Sequence, residues 1–304
     1  MNTAVKIGKI WLKNPVMVAS GTFGVGEKYS DFIDINKIGA IVTKTITLIA
    51  RVGNAPPRLV ETPAGLLNSI GLENKGLKDF VNNKIPFLKK LKIPAIVSIG
   101  GKNRGEFVEL SKRLSDCGID GIEINISCPN VKAKTKKLIS QDKKETFELV
   151  KSIRKSTKLT LITKLSPNVT DITEIAKAAQ DAESDAISLV NTFLGMAVDV
   201  ETQKPKLGAV TGGLSGPAIK PVALRMVWEV FNKVKIPIIG IGGIMDYKDA
   251  LEFIVCGATA VQVGTANFIN PNATIEIIGK MKGFLRNNKI KDIKALVGSL
   301  KHNG

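Results

Sequence analysis

The sequence predicts an α/β fold, a (β/α)8 TIM barrel with an N-terminal hairpin and insertions at the C-terminal face of the barrel. Eight short apolar runs recur along the chain, and amphipathic segments with helical spacing separate them. Hydrophobic residues make up 44% of the chain but aromatic residues only 5%, so the core is aliphatic, as in buried parallel strands. The length of 304 residues suits one such barrel, and we expect residues 1–304 to form a single domain.

Each predicted strand is an apolar run, and each predicted helix has its apolar residues on one face. The eight strands are residues 16–19, 40–43, 95–99, 121–125, 159–164, 186–190, 237–241 and 260–263. The clearest helices between them are residues 104–117, 143–156, 172–182, 221–234 and 247–256. Strand and helix alternating in this way indicate a (β/α)8 barrel.

Three segments do not belong to the simple repeat. Residues 5–12 alternate like a hairpin with its turn at Gly8-Lys9, and we expect this hairpin to close the barrel floor. The first half of residues 44–94 is rich in proline and glycine and is predicted to be ordered loop. Residues 197–200 and 206–210 are predicted to pair as a short hairpin. Long connections in compact domains are usually functional.

Composition excludes several classes of function. The net charge is +17, but the lysines are dispersed and few aromatic residues accompany them, so nucleic-acid binding is not favoured. Attraction to anionic substrates or to an acidic partner remains open. No run approaches the roughly 20 apolar residues of a membrane span, and the N-terminus lacks the order of a signal peptide. We therefore predict a cytoplasmic protein without a membrane association.

The cysteines and the histidine exclude further chemistry. Cys117, Cys128 and Cys256 have no spacing typical of a zinc site or a disulfide framework, so no metal site is predicted. His302, the only histidine, lies at the end of the chain. Hydrolysis by a Ser-His-Asp triad and catalysis by a histidine base are therefore not favoured.

Two glycine-rich loops predict a phosphate site. Residues 238–244 contain the end of the seventh predicted strand and the loop after it, and residues 261–266 do the same for the eighth. In barrels these two loops frequently bind phosphate, because glycine lets backbone N–H groups approach an anion closely. The alternative is that the glycines only form tight turns. The pairing of both loops favours a phosphorylated cofactor or substrate.

Cys128 is the candidate for the reacting side chain. It follows the strand over residues 121–125, and Pro129 prevents that strand from continuing. A thiol at the carboxyl edge of a barrel strand can act as a base or nucleophile, and the lysine-rich stretch that follows it suits a lid. An inert loop cysteine is the alternative. Cys117 and Cys256 are predicted to be small buried hydrophobic residues.

Polar residues at other strand ends indicate an anionic, planar ligand. Lys44 and Lys164 each end an apolar strand, where an ammonium can face the barrel mouth; the alternative is that they turn to solvent. Asn68, Asn125 and Asn191 lie at strand ends or in long loops. Because an amide both donates and accepts hydrogen bonds, these residues suit a ring with carbonyl and N–H groups.

Ordered motifs over essentially the whole chain resemble one family, the class 1 dihydroorotate dehydrogenases. The motifs are Asn14-Pro15-Val16, residues 19–24, Lys44-Thr45, residues 53–58, residues 67–72, residues 125–130, residues 164–168, residues 190–192, residues 212–218 and the two glycine-rich loops. The resemblance implies a TIM barrel that binds one FMN and oxidises dihydroorotate to orotate in pyrimidine biosynthesis.

The resemblance also implies roles for individual residues. Cys128 would remove a proton from C5 of dihydroorotate while hydride passes from C6 to N5 of FMN; class 2 members have serine there. Lys164 would lie at the N1/O2 edge of the flavin. Substrate would be bound by Lys44, Asn68, Ser69, Ile70, Gly71, Leu72, Asn125, Asn191 and Thr192. FMN would be bound by Ser20, Lys44, Thr45, Ser98, Asn125, Lys164, Val190, Gly216, Gly242, Gly243, Gly264 and Thr265.

Residues 213–221 resemble the 1B branch of that family. The resemblance then implies a partner subunit that carries FAD and a [2Fe-2S] cluster and passes electrons to NAD, in a heterotetramer built on a homodimer of this chain. Three dispersed cysteines could not ligate such a cluster in this chain. Two departures stand out: Ser98 replaces a frequent Asn, and residues 133–137 replace a Gly-Gly turn.

Three alternatives remain open. One is a class 1A-like enzyme that passes electrons to fumarate. Another is a barrel in which Cys128 attacks substrate covalently, as in proteins resembling IMP dehydrogenase. The last is a phosphate-binding scaffold without catalytic activity.

Overall fold

The computed structural model describes residues 1–127 and 138–301. The strands of this part of the chain are β1 (Val5–Ile7), β2 (Ile10–Leu12), β3 (Val16–Val18), β4 (Ile41–Val42), β5 (Leu59–Thr62), β6 (Gly65–Asn68), β7 (Ala95–Ile99), β8 (Gly121–Asn125), β9 (Thr160–Lys164), β10 (Ala186–Leu189), β11 (Phe193–Met196), β12 (Val198–Asp199), β13 (Lys204–Pro205), β14 (Thr211–Ser215), β15 (Ile238–Ile241) and β16 (Ala260–Val263). The α-helices are α1 (Gly76–Asp79), α2 (Ile85–Leu88), α3 (Arg104–Ser115), α4 (Lys143–Ser156), α5 (Ile172–Asp181), α6 (Lys220–Phe231), α7 (Tyr247–Val255), α8 (Ala266–Ile269) and α9 (Ala273–Asn287).

Eight strands close into a parallel barrel, in the order β3, β4, β7, β8, β9, β10, β15 and β16, with β16 pairing back to β3. The predicted (β/α)8 barrel is therefore confirmed. All eight predicted strands are present, and their ends differ from the predicted ends by at most one residue. Closure brings the carboxyl ends of all eight strands to one rim, where barrel enzymes place their active sites.

The helices begin where short acidic or amide side chains cap them. Asn103, Asp142, Asp171 and Asp246 accept hydrogen bonds from backbone N–H groups in the first turns of α3, α4, α5 and α7. The five predicted helices are confirmed, with α6 ending at Phe231, three residues before its predicted end. Their apolar faces pack on the outside of the barrel, so the strands are buried on both sides.

The N-terminal hairpin lies against the amino ends of the barrel strands. Strands β1 and β2 pair antiparallel, as predicted. The backbone N–H of Lys9 donates to Thr160 Oγ1 at 3.1 Å, and its ammonium donates to the Lys158 carbonyl at 2.9 Å. Because Thr160 begins β9, the hairpin closes the floor of the barrel, opposite the rim of strand carboxyl ends.

The two long connections form a second sheet together. Strands β5 and β6 come from the first connection and β11 and β14 from the second, and they pair antiparallel in the order β11, β14, β6, β5. The prediction that the first half of residues 44–94 is loop is therefore wrong at β5 and β6. This sheet reaches the carboxyl face of the barrel, because Thr265 Oγ1, just beyond β16, donates to Ser215 Oγ at 2.9 Å.

The short hairpin of the second connection has a different second arm from the predicted one. Strand β12 pairs with Lys204–Pro205 in β13, and the Lys206 N–H donates to the Ala197 carbonyl at 2.9 Å. The predicted arm over residues 206–210 is therefore wrong in its bounds. The Asp199 carboxylate accepts from the Thr202 N–H at 2.9 Å, and this local turn sets the register.

None of the helices in residues 1–127 and 138–301 combines the length and the apolar character needed to cross a membrane. The cytoplasmic location stays a prediction from the sequence.

Replacing Gly8 by alanine should destabilise the floor of the barrel. Gly8 has a φ of +55°, and a Cβ there would lie 2.7 Å from Thr160 Cγ2 and 2.9 Å from Asp185 Cβ. We expect Gly8→Ala to lower the free energy of unfolding by about 1–3 kcal/mol. Gly279→Ala in α9 is the control, because nothing lies within 4 Å of its Cβ and alanine favours a helix. Equal denaturant midpoints for the two variants would contradict the expectation.

Candidate active site

Buried polar side chains line the carboxyl rim of the barrel. Lys164, the last residue of β9, is 5% exposed, and its ammonium donates to Ser20 Oγ, just beyond β3, at 3.2 Å. The same ammonium lies 3.8 Å from the Glu123 carboxylate in β8. The predicted orientation of Lys164 towards the barrel mouth, rather than towards bulk solvent, fits this burial. A positive charge is thus fixed beside the rim.

A chain of hydrogen bonds links residues at the carboxyl ends of β4, β7, β8 and β10. Thr45 Oγ1 and Ser98 Oγ lie 2.9 Å apart, and Asn125 Nδ2 donates to Thr45 Oγ1 at 3.3 Å. Ser127 Oγ donates to Asn125 Oδ1 at 2.6 Å, and Asn191 Nδ2 contacts both Ser127 Oγ and Asn125 Oδ1. The amides of Asn125 and Asn191 are therefore held next to each other.

Asn68 and Thr192 meet at the second sheet. Asn68 Nδ2 donates to the Gly213 carbonyl at 3.2 Å, and Thr192 Oγ1 lies where a Cβ on Gly213 would stand. Asn168 Nδ2 donates to the Thr192 carbonyl at 3.0 Å, which fixes the segment after β10. Residues from both insertions thus converge beside the rim.

The predicted substrate loop, residues 69–72, continues from β6 and folds against Asn54. Asn54 Nδ2 donates to Ser69 Oγ at 2.8 Å, and the Asn54 N–H donates to the Ile70 carbonyl at 3.1 Å. Gly71 packs on Asn54, and Leu72 Cδ1 reaches Gly100, which follows β7. The loop therefore spans from the second sheet to the barrel rim.

The two glycine-rich loops and Gly216 lie close together. A Cβ on Gly243 would stand 2.9 Å from the Gly216 carbonyl oxygen, and one on Gly242 would stand 3.5 Å from Val190 Cγ2. Thr265 reaches the neighbouring Ser215, as described above. No hydrogen bond among the described residues uses the backbone N–H of Gly243, Gly264 or Thr265. These groups remain available to an anion.

Lys44 stands apart from these clusters. Its ammonium makes no hydrogen bond to another residue of the described part of the chain. Burial lowers the pKa of Lys44, the negative charge of Glu73 opposes that shift, and the positive charge of Arg58 adds to it. Lys44 is thus a half-buried cation at the rim, free to pair with an anionic ligand.

Comparison with known proteins gives one consistent family. The family model described as dihydroorotate dehydrogenase matches residues 2–285. The chain belongs to the dihydroorotate dehydrogenase family. It is 54% identical to the dihydroorotate dehydrogenase B (NAD(+)) catalytic subunit of Caldicellulosiruptor bescii over 99% of each chain. It is 55% identical to the subunit of that name in Desulforamulus reducens over 98% of each chain, and 51% identical to that of Thermoanaerobacter pseudethanolicus over 99% of each.

Members of the dihydroorotate dehydrogenase family use a flavin, and the residues present fit one that carries a phosphate. The unused N–H groups of Gly243, Gly264 and Thr265 can bind the phosphate. Lys164 and the polar side chains of Ser20, Thr45 and Asn125 can face the polar edge of the ring. The residues predicted to bind FMN therefore lie near one another, and their individual contacts with FMN stay predictions.

The cysteines differ in what the structure describes. Cys128, the predicted base, and the lysine-rich residues 133–137 lie outside the described residues, as does His302. Cys256 is buried, as predicted, and burial raises the pKa of its thiol. Cys117 is only half-buried, so the prediction that it is buried is wrong. It lies in the turn after α3, where its thiol donates to the Arg113 carbonyl at 3.3 Å.

The sequence interpretation missed three polar residues of the site. Ser127 joins Asn125 to Asn191, and Glu123 and Gln262 are buried inside the barrel. The signal for the last two was present, because Gln262 is the single polar residue of its strand and Glu123 lies between two isoleucines in the middle of its strand. A buried polar side chain in that setting requires a partner.

Replacing Gly243 by alanine should weaken binding of a phosphate-bearing ligand. Gly243 has a φ of +70°, and a Cβ would stand 2.7 Å from Lys220 Cβ, so the loop must shift. We expect the affinity of flavin-free protein for FMN, measured by fluorescence titration, to fall at least about tenfold, or about 1.4 kcal/mol. Gly283→Ala in α9, where a Cβ meets nothing within 4 Å, is the matched control. Unchanged FMN affinity in Gly243→Ala would exclude this loop from the site.

Proposed function

We propose that this chain oxidises dihydroorotate to orotate in pyrimidine biosynthesis, as the catalytic subunit of an NAD-linked complex, and that residues 1–304 form one FMN-binding domain. One observation carries the proposal. The buried ammonium of Lys164 and the joined amides of Asn125 and Asn191 occupy adjacent strand ends of one barrel rim. A cation beside paired amides suits a flavin edge facing a planar ring with a carboxylate.

Substrate would lie between the barrel rim and the second sheet. The Lys44 ammonium would offset the carboxylate of dihydroorotate, since it has no hydrogen-bonding partner among the described residues. Asn68 and Thr192 from the insertions, with Asn125 and Asn191 from the barrel, would bind the ring carbonyl and N–H groups. The loop of Ser69, Ile70, Gly71 and Leu72 would cover the ring and exclude water.

FMN, when bound, would supply the hydride acceptor. Lys164 would hold positive charge at its N1/O2 edge, assisted by Ser20 Oγ at 3.2 Å from the ammonium. Thr45, Ser98 and Val190 would contact the ring. Gly216, Gly242, Gly243, Gly264 and Thr265 would surround its phosphate.

Cys128 would take the proton from C5 of dihydroorotate as a thiolate base. Support comes from its neighbours in the chain, because Asn125 ends β8 at the rim and Ser127 is fixed there by two amides. Cys128 follows Ser127 directly in the sequence, which supports its assignment to this site.

A partner subunit would complete the electron path. The relatives named above are called NAD(+)-type catalytic subunits, which supports a second chain for this protein. FAD and a [2Fe-2S] cluster would be held by that chain, because three dispersed cysteines cannot ligate a cluster here. Two copies of each subunit, built on a homodimer of this chain, would form the complex.

The purified protein should be yellow, and its flavin should bleach when dihydroorotate is added without oxygen. The expected spectrum is that of oxidised FMN, lost on mixing in a stopped-flow spectrophotometer. A colourless protein that stays colourless with added FMN would contradict the proposal, and so would a flavin that never bleaches. Reoxidation with NAD, fumarate or a quinone, with and without the partner, separates the NAD-linked enzyme from a fumarate-linked one.

Cys128→Ala should keep its flavin but be reduced about 10²-fold or more slowly, the usual loss when a general base is removed. Cys256→Ala is the matched control, because that thiol is buried after α7, away from the rim. A covalent adduct between Cys128 and substrate would instead support the IMP dehydrogenase-like alternative. Equal reduction rates for both variants would assign Cys128 a structural role.

A further inference from the structure

A carboxylate is buried in the barrel interior beneath the flavin site. Glu123 lies two residues before Asn125 on β8, so both side chains point to the same side of the strand, with Glu123 nearer the floor. Its exposed fraction is 0%. Barrel interiors are usually filled by bulky aliphatic side chains, so a carboxylate there requires an explanation.

Three strands supply partners to this carboxylate. Glu123 Oε2 accepts from Ser188 Oγ in β10 at 3.1 Å and from Gln262 Nε2 in β16 at 2.9 Å. Glu123 Oε1 has no hydrogen-bond donor among the described residues, and the same holds for Gln262 Oε1. Within the described part of the chain, the cation nearest to Oε1 is the Lys164 ammonium, at 3.8 Å.

A buried ion pair contributes little to stability, so the presence of Glu123 and Lys164 in the barrel interior calls for a functional explanation. A buried pair is often no more stable than an apolar replacement of the same volume, whereas one charge left alone is strongly destabilising. Lys164 has one other partner among the described residues, the neutral hydroxyl of Ser20. Glu123 is thus the group that balances its charge from the floor side.

We propose that Glu123 is a positioning residue, which holds the Lys164 ammonium at the N1/O2 edge of the flavin. Its own negative charge also limits how strongly the ammonium stabilises the reduced flavin. The proposal rests on the proposed function. A paired ammonium attracts the negative charge of a reduced flavin less than an unpaired one, because the carboxylate 3.8 Å away partly cancels it.

Glu123→Gln should therefore raise the midpoint potential of bound FMN. The substitution keeps the volume and can still bond Ser188 and Gln262, but it removes the negative charge. We expect the equilibrium between oxidised and two-electron-reduced flavin to shift at least tenfold towards the reduced form, equal to about 30 mV for a two-electron couple. Equilibration with a reference dye in a spectrophotometer measures the shift.

Asp185→Asn is the matched control. Asp185 also forms a partly buried ion pair, with Arg154 at 2.9 Å, but beside the barrel floor at the start of β10. This variant should lose thermal stability and keep the wild-type potential. Glu123→Asp, which retains the charge, should restore a potential near that of the wild type. A Glu123→Gln potential equal to or below the wild-type value would overturn the proposal.

Gln262→Leu is the second test, for the case in which Glu123→Gln does not fold. It removes one hydrogen bond to Glu123 Oε2 and leaves both buried charges paired. The less neutralised carboxylate should shift the flavin equilibrium towards the oxidised form, and a midpoint potential equal to or above the wild-type value would overturn the role of the carboxylate. A wild-type flavin that binds but does not bleach with dihydroorotate would refute the proposed function alone, because the potentials are measured without substrate.

Discussion

Closure of the parallel barrel is the constraint on which the rest of the site depends. Eight strands point the same way and pair in a ring, so their last residues meet at one rim. Asn125 in β8 and Lys164 in β9 are paired in register, so the amide and the ammonium begin from neighbouring positions on adjacent strands. Because side chains alternate along a strand, a slip of one residue in β8 would turn Glu123 and Asn125 away from the interior. Core packing and site geometry are thus set by the same register.

The dry interior then dictates how charge can be placed. Lys164 is 5% exposed and Glu123 is 0% exposed, so the charge of either one alone would be strongly destabilising, and breaking such a pair costs about 3–5 kcal/mol. The pair persists because Ser188 and Gln262 bond one carboxylate oxygen while Lys164 faces the other. Glu123 thus orients the Lys164 ammonium from the floor side of the barrel, and the side of the ammonium that faces the rim is left for a ligand.

Local patterns were enough to predict the barrel, because each strand is a short apolar run and each major helix has an amphipathic face. The second sheet could not be predicted in this way. The partners β6 and β14 lie far apart in the chain, since Asn68 and Gly213 are separated by 145 residues, and β14 contains two adjacent glycines. Strand β14 lacks the alternation that marks strands in a single sequence, and it has only one β-branched residue, Thr211.

The site was predictable to the extent that its residues end strands. Lys164 and Asn125 follow that rule, whereas Ser127 gains its role only from the approach of Asn191, which depends on the tertiary fold. The insertions add a different contribution. The first insertion supplies Asn68, and the second supplies Thr192, which lies beside Gly213. The Lys164 ammonium and the N–H groups of the two glycine-rich loops belong to the barrel itself. Under the proposed function, the barrel therefore fixes the cofactor and its charge, and the paired insertions select the substrate. Asn68 on β6 is held by its pairing with β14, and Thr192 packs on Gly213 of β14. Substrate recognition therefore depends on the second sheet as a whole.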